Sequence, residues 1–397
     1  MPSAPTLDPV SDVDLDEVRQ RFAASEDLTL GIEEEYMLLD PDTHDLVPRF
    51  DDLASSATGL LAEAISGELI RSEIEIRTGA NPDFAAAVAD LEERRLLLAD
   101  HAAAHGVALG RAGTHPFADW REQQVIDTEH YRRVEGELGY VAWRNNTFAV
   151  HLHVGVRGGD RAVALCDRLR GDLPTLLALS ASSPWAEGRV TRLHSTRTQL
   201  FTKNFPRCGI TEPFGSWAAY AAFVDLLVRT QSIVESTQIW WSIRPHHRFG
   251  TVEFRICDAQ MRGDEQVDLC GLMLALAATT LRDIDEGRPH DDPSSRLLDE
   301  NLWRAERDGL DGRLIDLDRL EATPTVAVVE RMLDRVEPMA AELGLTGHLD
   351  GIAHMLAEGN GAQRAIRRLE GGEDLRSVFA DLVVAETFAT TPRETTR

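Results

Sequence analysis

Ionisable side chains, mostly carboxylates and imidazoles, recur in this chain two residues apart on four stretches that alternate apolar and polar side chains. Residues 29–39 place Glu33 and Glu35 on one side of an extended strand, with Ile32, Glu34 and Tyr36 on the other. Residues 68–77 carry Arg71, Glu73, Glu75 and Arg77 opposite Ile70, Ile74 and Ile76. Residues 147–156 carry His151 and His153 opposite Phe148, Val150, Leu152, Val154 and Val156. Residues 251–258 carry Glu253 and Arg255 opposite Val252, Phe254 and Ile256. Acids about 7 Å apart on a half-buried strand repel each other and lose hydration, so they persist mainly where a cation or a functional proton compensates them. Carboxylates with one or two imidazoles suit Mg²⁺ or Mn²⁺, and a subset richer in histidine can also hold Zn²⁺.

Each stretch also has a plainer reading. Acids on an exposed edge strand block aggregation, a single H-x-H is often structural, and Glu73 with Arg77 makes an ordinary cross-strand salt network. His246-His247 beside Pro245 reads as a loop. Four strands with one grammar point instead to a single acidic floor. A sheet that packs one face on helices and keeps the other polar is usually antiparallel, which makes the expected class α+β.

The elements that must position this floor follow from local signals. Residues 53–66 read as a short helix. Asn81-Pro82-Asp83 starts a long helix with Phe84, Val88, Leu91 and Leu98 at helical spacing and Gly106 past its end. Further helices are expected at 160–181, interrupted by Pro174, at 216–237 and at 264–286. Residues 244–250 read as a turn. Beyond residue 287 the chain reads as almost wholly helical, with a break at Gly359-Asn360-Gly361. Residues 1–14 are expected to form a mobile arm and 15–390 a single catalytic domain.

Bulk properties narrow the class. The 397 residues are 43% hydrophobic and 27% charged, which suits a globular enzyme-sized chain. With 41 Lys+Arg against 67 Asp+Glu, the formal charge of −26 disfavours nucleic acid or an anionic membrane as a general partner. Lys203 is the only lysine, so guanidinium carries nearly all the positive charge. Cys166, Cys208, Cys257 and Cys270 are scattered without a C-x-x-C, as in a reducing compartment. No apolar run approaches the ~18 residues of a membrane span, and the acidic start lacks a signal-peptide pattern, so a soluble cytoplasmic protein is expected. A homo-oligomer is left open.

The runs GIEEEYMLLDP (31–41), ELIRSEIEIRTG (68–79), HLHVGV (151–156), SPWAEGR (183–189), FGSWAAYAAFVDLLVRTQSIVE (214–235), WWSIRPHHRFGTVEFRICDA (240–259) and GNGAQR (359–364) resemble the carboxylate-amine ligases of glutamate-cysteine ligase family 2. The resemblance extends from about residue 27 to 370. It implies a glutamine-synthetase-like fold, with a curved, largely antiparallel sheet, helices on one face and the active site on the other. It also implies ATP and Mg²⁺ (or Mn²⁺), phosphorylation of the γ-carboxylate of glutamate, and displacement of phosphate by an amine such as that of cysteine. By position in the motifs, Glu33, Glu35, Glu75, His151 and Glu253 match metal-associated residues. Arg255 matches the arginine that contacts the phosphoryl group or the reacting carboxylate. His153 is added to the metal set, at a position where more distant ligases carry another polar residue, and the family often has Gln in place of Glu73. The chain has no G-x-x-x-x-G-K-[ST], so a nucleotide must rest on the sheet and its metals rather than on a P-loop. Two other readings of the same floor are a metal-dependent amide or phosphate hydrolase and a nucleotide- or metal-binding protein without turnover.

Overall fold

The stretch with three consecutive glutamates becomes the strand on which the main sheet is aligned. In the computed structural model, which describes residues 13–385 and 387, seven strands form one antiparallel sheet. They are β1 (Leu30–Leu39), β2 (Ile65–Ser66), β3 (Glu73–Arg77), β4 (Ala108–Gly110), β5 (Val150–Gly155), β6 (Ile243–His246) and β7 (Thr251–Phe254). Their spatial order is β6-β7-β5-β1-β3-β2, with β4 paired to the end of β1. Side chains on a strand alternate with period two, so register decides which sets share a face. Glu33 lies opposite Arg77 on one side and His151 on the other, and Glu35 lies opposite Glu75. His153 faces Glu253 across β5 and β7, and Glu253 faces Arg244 across β7 and β6. The polar sets of five strands thus fall on one face.

On the opposite face Ile32, Tyr36, Ile74, Ile76, Leu152, Val154, Val252 and Phe254 are buried. Helices α1 (Leu15–Ala24), α2 (Phe84–Ala104), α3 (Gly159–Leu169), α4 (Leu173–Ser180), α5 (Trp217–Arg229) and α6 (Gly263–Asp285) surround this core. Asp83 caps α2 by accepting from the amide of Ala86 at 2.9 Å, and Phe84, Leu91 and Leu98 of that helix are buried. α6 is apolar nearly all round because β5 touches one side and α8 (Thr325–Glu342) and α9 (Thr346–Glu358), preceded by α7 (Ser295–Asp308), cover the other. Each large apolar side chain so buried contributes about 1.5–3 kcal/mol. Among the described residues, no helix is long and apolar enough to cross a membrane.

Several boundaries differ from the local reading. The arm expected over residues 1–14 lies, through residue 12, outside the described residues, and Asp14 caps α1 by accepting from the amides of Asp16 and Glu17. The helix expected at 53–66 is two short ones, Phe50–Ser56 and Gly59–Ala64, separated where Gly59 takes φ +57, and the chain then enters β2. The strand expected over 68–77 begins only at Glu73. Ile70 leaves the main core to bridge Val125 and pack with Leu69, Val134 and Ala142, and Arg71 turns away to Asp51 and Gln124. The helix expected at 160–181 breaks at Gly171-Asp172, with Pro174 in the first turn of α4, where its missing N–H costs nothing. The helix expected at 216–237 ends at Arg229. Beyond 287 the chain also contains a hairpin, Arg313–Asp316 paired with Glu321–Pro324.

The central glutamate of β1 belongs to the core. Its neighbours in sequence face the polar side, so alternation drives Glu34 beneath the sheet, where it is fully buried. Arg95 of α2 donates to it through Nε at 2.8 Å and through Nη2, Arg111 reaches it at 3.1 Å, and the Tyr36 hydroxyl donates at 2.6 Å. Burial works to raise its pKa, but the two guanidinium groups outweigh this and hold it at about 2. A buried ion pair broken on one side leaves charge without compensation. Glu34→Gln should therefore lower stability by about 3–5 kcal/mol, read as a fall in the urea unfolding midpoint. A midpoint equal to wild type would show that the node does not hold β1 to α2.

Candidate active site

The floor of the site is assembled by cross-strand register. His151 Nδ1 lies 3.2 Å from Glu33 Oε2, and His153 Nε2 lies 3.2 Å from Glu33 Oε1. His151 Nε2 is 3.7 Å from Glu35, and His153 Nε2 is 3.9 Å from Glu253. Glu253 is held by Arg244, whose Nε donates at 2.5 Å, and by Arg255 Nη1. Arg77 Nε stands 3.5 Å from Glu75. Glu33, Glu35, Glu73, Glu75, His151, Glu253 and Arg255 all line one cleft. His153 packs at its edge, with Nδ1 2.9 Å from the Thr251 hydroxyl. Arg71, expected on the polar face, does not reach it.

The floor is electrostatically uneven. Burial tends to raise Glu33, but His153 and His151 outweigh it and keep that carboxyl well below the usual range. Burial is likewise overcome at Glu253 by Arg244 and Arg255, which hold it well below its ordinary value. At Glu73 and Glu75 compensation falls short: Arg77 stands beside Glu75 but does not outweigh burial and the neighbouring acids. Burial, with repulsion from Glu35 at Glu73 and from Glu33 at Glu75, pushes both well up. Half-buried Glu68 above them is pushed up to about 8 by burial and by Glu35. Burial and Arg255 lower His151, whereas at His153 Glu33 and Glu253 outweigh burial and raise it.

Among the described residues, two groups each bring three ligand atoms within 4.8 Å of one another: Glu33, His151 and Glu253, and Glu35, Glu75 and His151. His151 belongs to both; His153 stands beside the first and belongs to neither. The buried Nε2 of His151 has no hydrogen-bond partner, with Glu35 3.7 Å away, whereas that of His153 faces Glu33 Oε1 at 3.2 Å. A buried ring nitrogen left open among carboxylate oxygens fits a hard divalent cation, whose charge would also favour the ionised form of the acids that burial and mutual repulsion push up.

Some residues around the floor carried no sequence signal for it. Arg244 lies in a segment, 244–250, that reads as a turn; residues 247–250 do turn, but Arg244, Pro245 and His246 belong to β6, an edge strand where proline is tolerated. His246 on the same strand is part of the cleft wall, stacked on Phe249 with ring centroids 4.7 Å apart, rather than a bystander loop residue. His247 accepts from or donates to the Tyr220 hydroxyl at 2.6 Å. Tyr131 and Arg197 enter the cleft from helices far away in the chain.

The antiparallel sheet with helices on one face and the acid, imidazole and guanidinium floor on the other is a fold of the glutamate-cysteine ligase class. The chain belongs to glutamate-cysteine ligase family 2, whose sequence model matches residues 29–381. It is 37% identical over 361 residues to a protein of Solibacter usitatus named "Putative glutamate--cysteine ligase 2", covering 91% of this chain and 93% of that one. It is 38% identical over 366 residues to the like-named protein of Gloeobacter violaceus, covering 91% and 97%. Among solved structures, the glutamate–cysteine ligase of Francisella tularensis in complex with AMP superposes with a TM-score of 0.66 at 13% identity, over 90% of this chain and 88% of that one. A bifunctional glutathione synthetase of Pasteurella multocida gives 0.66 at 14%, over 92% and 53%.

The shared position of His151 sets an expectation for metal titrations. Followed by Mn²⁺ electron paramagnetic resonance, His151→Ala should weaken binding more than His153→Ala, and Glu33→Gln or Glu253→Gln should weaken it with the far-UV spectrum unchanged. Wild-type Mn²⁺ affinity in all four variants would remove the metal assignment.

Proposed function

We propose that this protein joins the γ-carboxylate of glutamate to an amine, cysteine being the amine that its relatives' names carry, with cleavage of ATP to ADP and phosphate. The observation that carries the reading is the placement of Arg255 beside Glu253, facing an acid-rich floor with the open Nε2 of His151 in a single cleft. A carboxylate is a poor electrophile. In the reaction proposed, a γ-carboxylate oxygen forms a bond to the terminal phosphorus of ATP as the bond to ADP breaks. The amine nitrogen then bonds to the carbonyl carbon, phosphate leaves, and the amine gives up a proton. A divalent cation held by Glu33, His151 and Glu253, or by Glu35, Glu75 and His151, would supply charge neutralisation between the two anionic substrates.

The chain's own groups do the rest. Glu253 fixes the Arg255 guanidinium, and burial leaves Arg255 Nε without a partner, so a donor remains for an oxygen that gains charge. Arg244 holds the other oxygen of Glu253 and stops that carboxylate from turning away. Together with the buried sheet this keeps the donor in place before substrate arrives, which is where preorganisation gains over water.

Two experiments test this. ADP should appear only when glutamate and an amine are both present, with mass spectrometry identifying the amide. Product without ATP would favour a hydrolase, and ATP binding without ADP a non-turnover protein. Arg255→Lys should keep nucleotide affinity and lose turnover by about 10²-fold, because an ammonium cannot reproduce a bidentate donor at a developing charge. The loss should fall on kcat rather than KM, and near-normal kcat in the folded variant would remove Arg255 from the chemistry.

A further inference from the structure

Away from the cleft, two histidines at the end of α2 converge on the short helix Phe50–Ser56. His101 and His105 stand four residues apart in the run HAAAH, neighbours on one helix face with ring centroids 4.4 Å apart. His101 Nε2 lies 3.2 Å and His105 Nε2 3.1 Å from the Ser56 hydroxyl oxygen. Neither histidine lines the cleft.

The cluster has one proton too few. His101 Nε2 is 3.0 Å from the Leu53 carbonyl, which can only accept, so this nitrogen carries the N–H of its ring. His105 Nδ1 donates in the same way to the His101 carbonyl at 2.8 Å. A neutral imidazole has a single N–H, which leaves His105 Nε2 as a bare lone pair. The Ser56 hydroxyl beside it also has a single proton, and the Asp52 carbonyl accepts that proton at 2.6 Å. Lone pair therefore faces lone pair between His105 and Ser56. A cation removes the conflict.

A ring whose Nδ1–H is pinned by a carbonyl, with Nε2 left open, has the orientation of a metal ligand. Two histidines at i and i+4 on a helix are a common pair for such an ion. Ser56 Oγ lies 3.1–3.3 Å from His101 Nε2, His105 Nε2 and Leu53 O, and Leu53 O lies 3.0 Å from His101 Nε2. An ion with bonds of about 2.0–2.1 Å spaces tetrahedral ligands about 3.3–3.4 Å apart. Arg49, which donates to the His105 carbonyl at 3.3 Å, is paired with the Asp52 carboxylate at 2.7 Å and adds no uncompensated charge. Ser56 is exposed and both rings are partly exposed, so an ion has a path in.

We propose that His101 and His105 bind a divalent transition-metal ion of the zinc, nickel or copper class, with the Ser56 hydroxyl and the Leu53 carbonyl as oxygen neighbours, and that the ion ties α2 to the helix Phe50–Ser56. Paired imidazoles favour these ions over Mg²⁺, which prefers oxygen. On binding, His101 moves its proton to Nδ1 and gives Nε2 to the ion.

The proposal is independent of the ligase reading. In equilibrium dialysis of the full chain against Zn²⁺ with Mg²⁺ in excess, His101→Ala and His105→Ala should each lose one equivalent that wild type binds, through an affinity at least about 10-fold lower. Glu33→Gln and His151→Ala should keep that equivalent. In wild type itself, Zn²⁺ should shield His101 and His105 from diethylpyrocarbonate, read by mass spectrometry of the peptides, a measurement that needs no variant to fold. Equal Zn²⁺ in wild type and both α2 variants, or unshielded His101 and His105 at saturating Zn²⁺, would overturn the proposal. Loss confined to Glu33→Gln and His151→Ala would assign the ion to the floor and overturn it as well.

Discussion

Repulsion among buried carboxylates is the constraint around which this structure is arranged. Glu33, Glu35, Glu73, Glu75 and Glu253 share one face of a sheet, with Glu68 above them, and water cannot solvate them as it would on a free surface. Compensation is distributed unequally. Arg244 and Arg255 hold Glu253, and the two histidines hold Glu33, while at Glu73 and Glu75 burial and neighbouring acids push the carboxyl pKa up. The result is a site with one ionised, guanidinium-rich side and one side that can gain charge when a cation arrives. Such a gradient suits a reaction in which two anions must be brought together and negative charge then moved between them.

This arrangement costs stability, and the opposite face of the same strands offsets the cost. Alternation sends Ile32, Tyr36, Leu152, Val252 and Phe254 into a core covered by α2, α3 and α6. It sends Glu34 there too, and only the arginines of α2 and of the segment after β4 make that position tolerable. Glu34 thus ties the rim of the core to the strand that carries two of the floor's acids. Rigidity of the floor is inherited from this packing, since close-packed interiors transmit displacement rather than absorb it.

Beyond the last paired residue of β7 the logic changes from sheet to side-chain network. Arg255 has left the β5 ladder, and its backbone amide donates to Ser242 O while its carbonyl accepts from Arg197, itself part of the cleft wall. The fold is shared with the Francisella tularensis ligase at 13% identity, so what it requires is a pattern of faces and lengths more than particular residues.

The amino-acid sequence by itself determined the face on which each candidate residue stands. Glu33 with Glu35, Glu75, His151 with His153, and Glu253 with Arg255 were separable from their apolar neighbours because side-chain alternation is a local property of extended chain. The motif runs likewise pointed to the family that the family match then showed. Tertiary structure alone decided which strands are neighbours and in what register, and therefore that Glu33 meets His151 while His153 meets Glu253. It also decided that Ile70 and Arg71 leave the strand, that Arg244 stands on β6, and that Arg197 reaches Arg255 across 58 positions of sequence. Pairing between distant segments is set by the loop paths and the apolar surface each segment can cover, and neither is encoded in the residues of one strand.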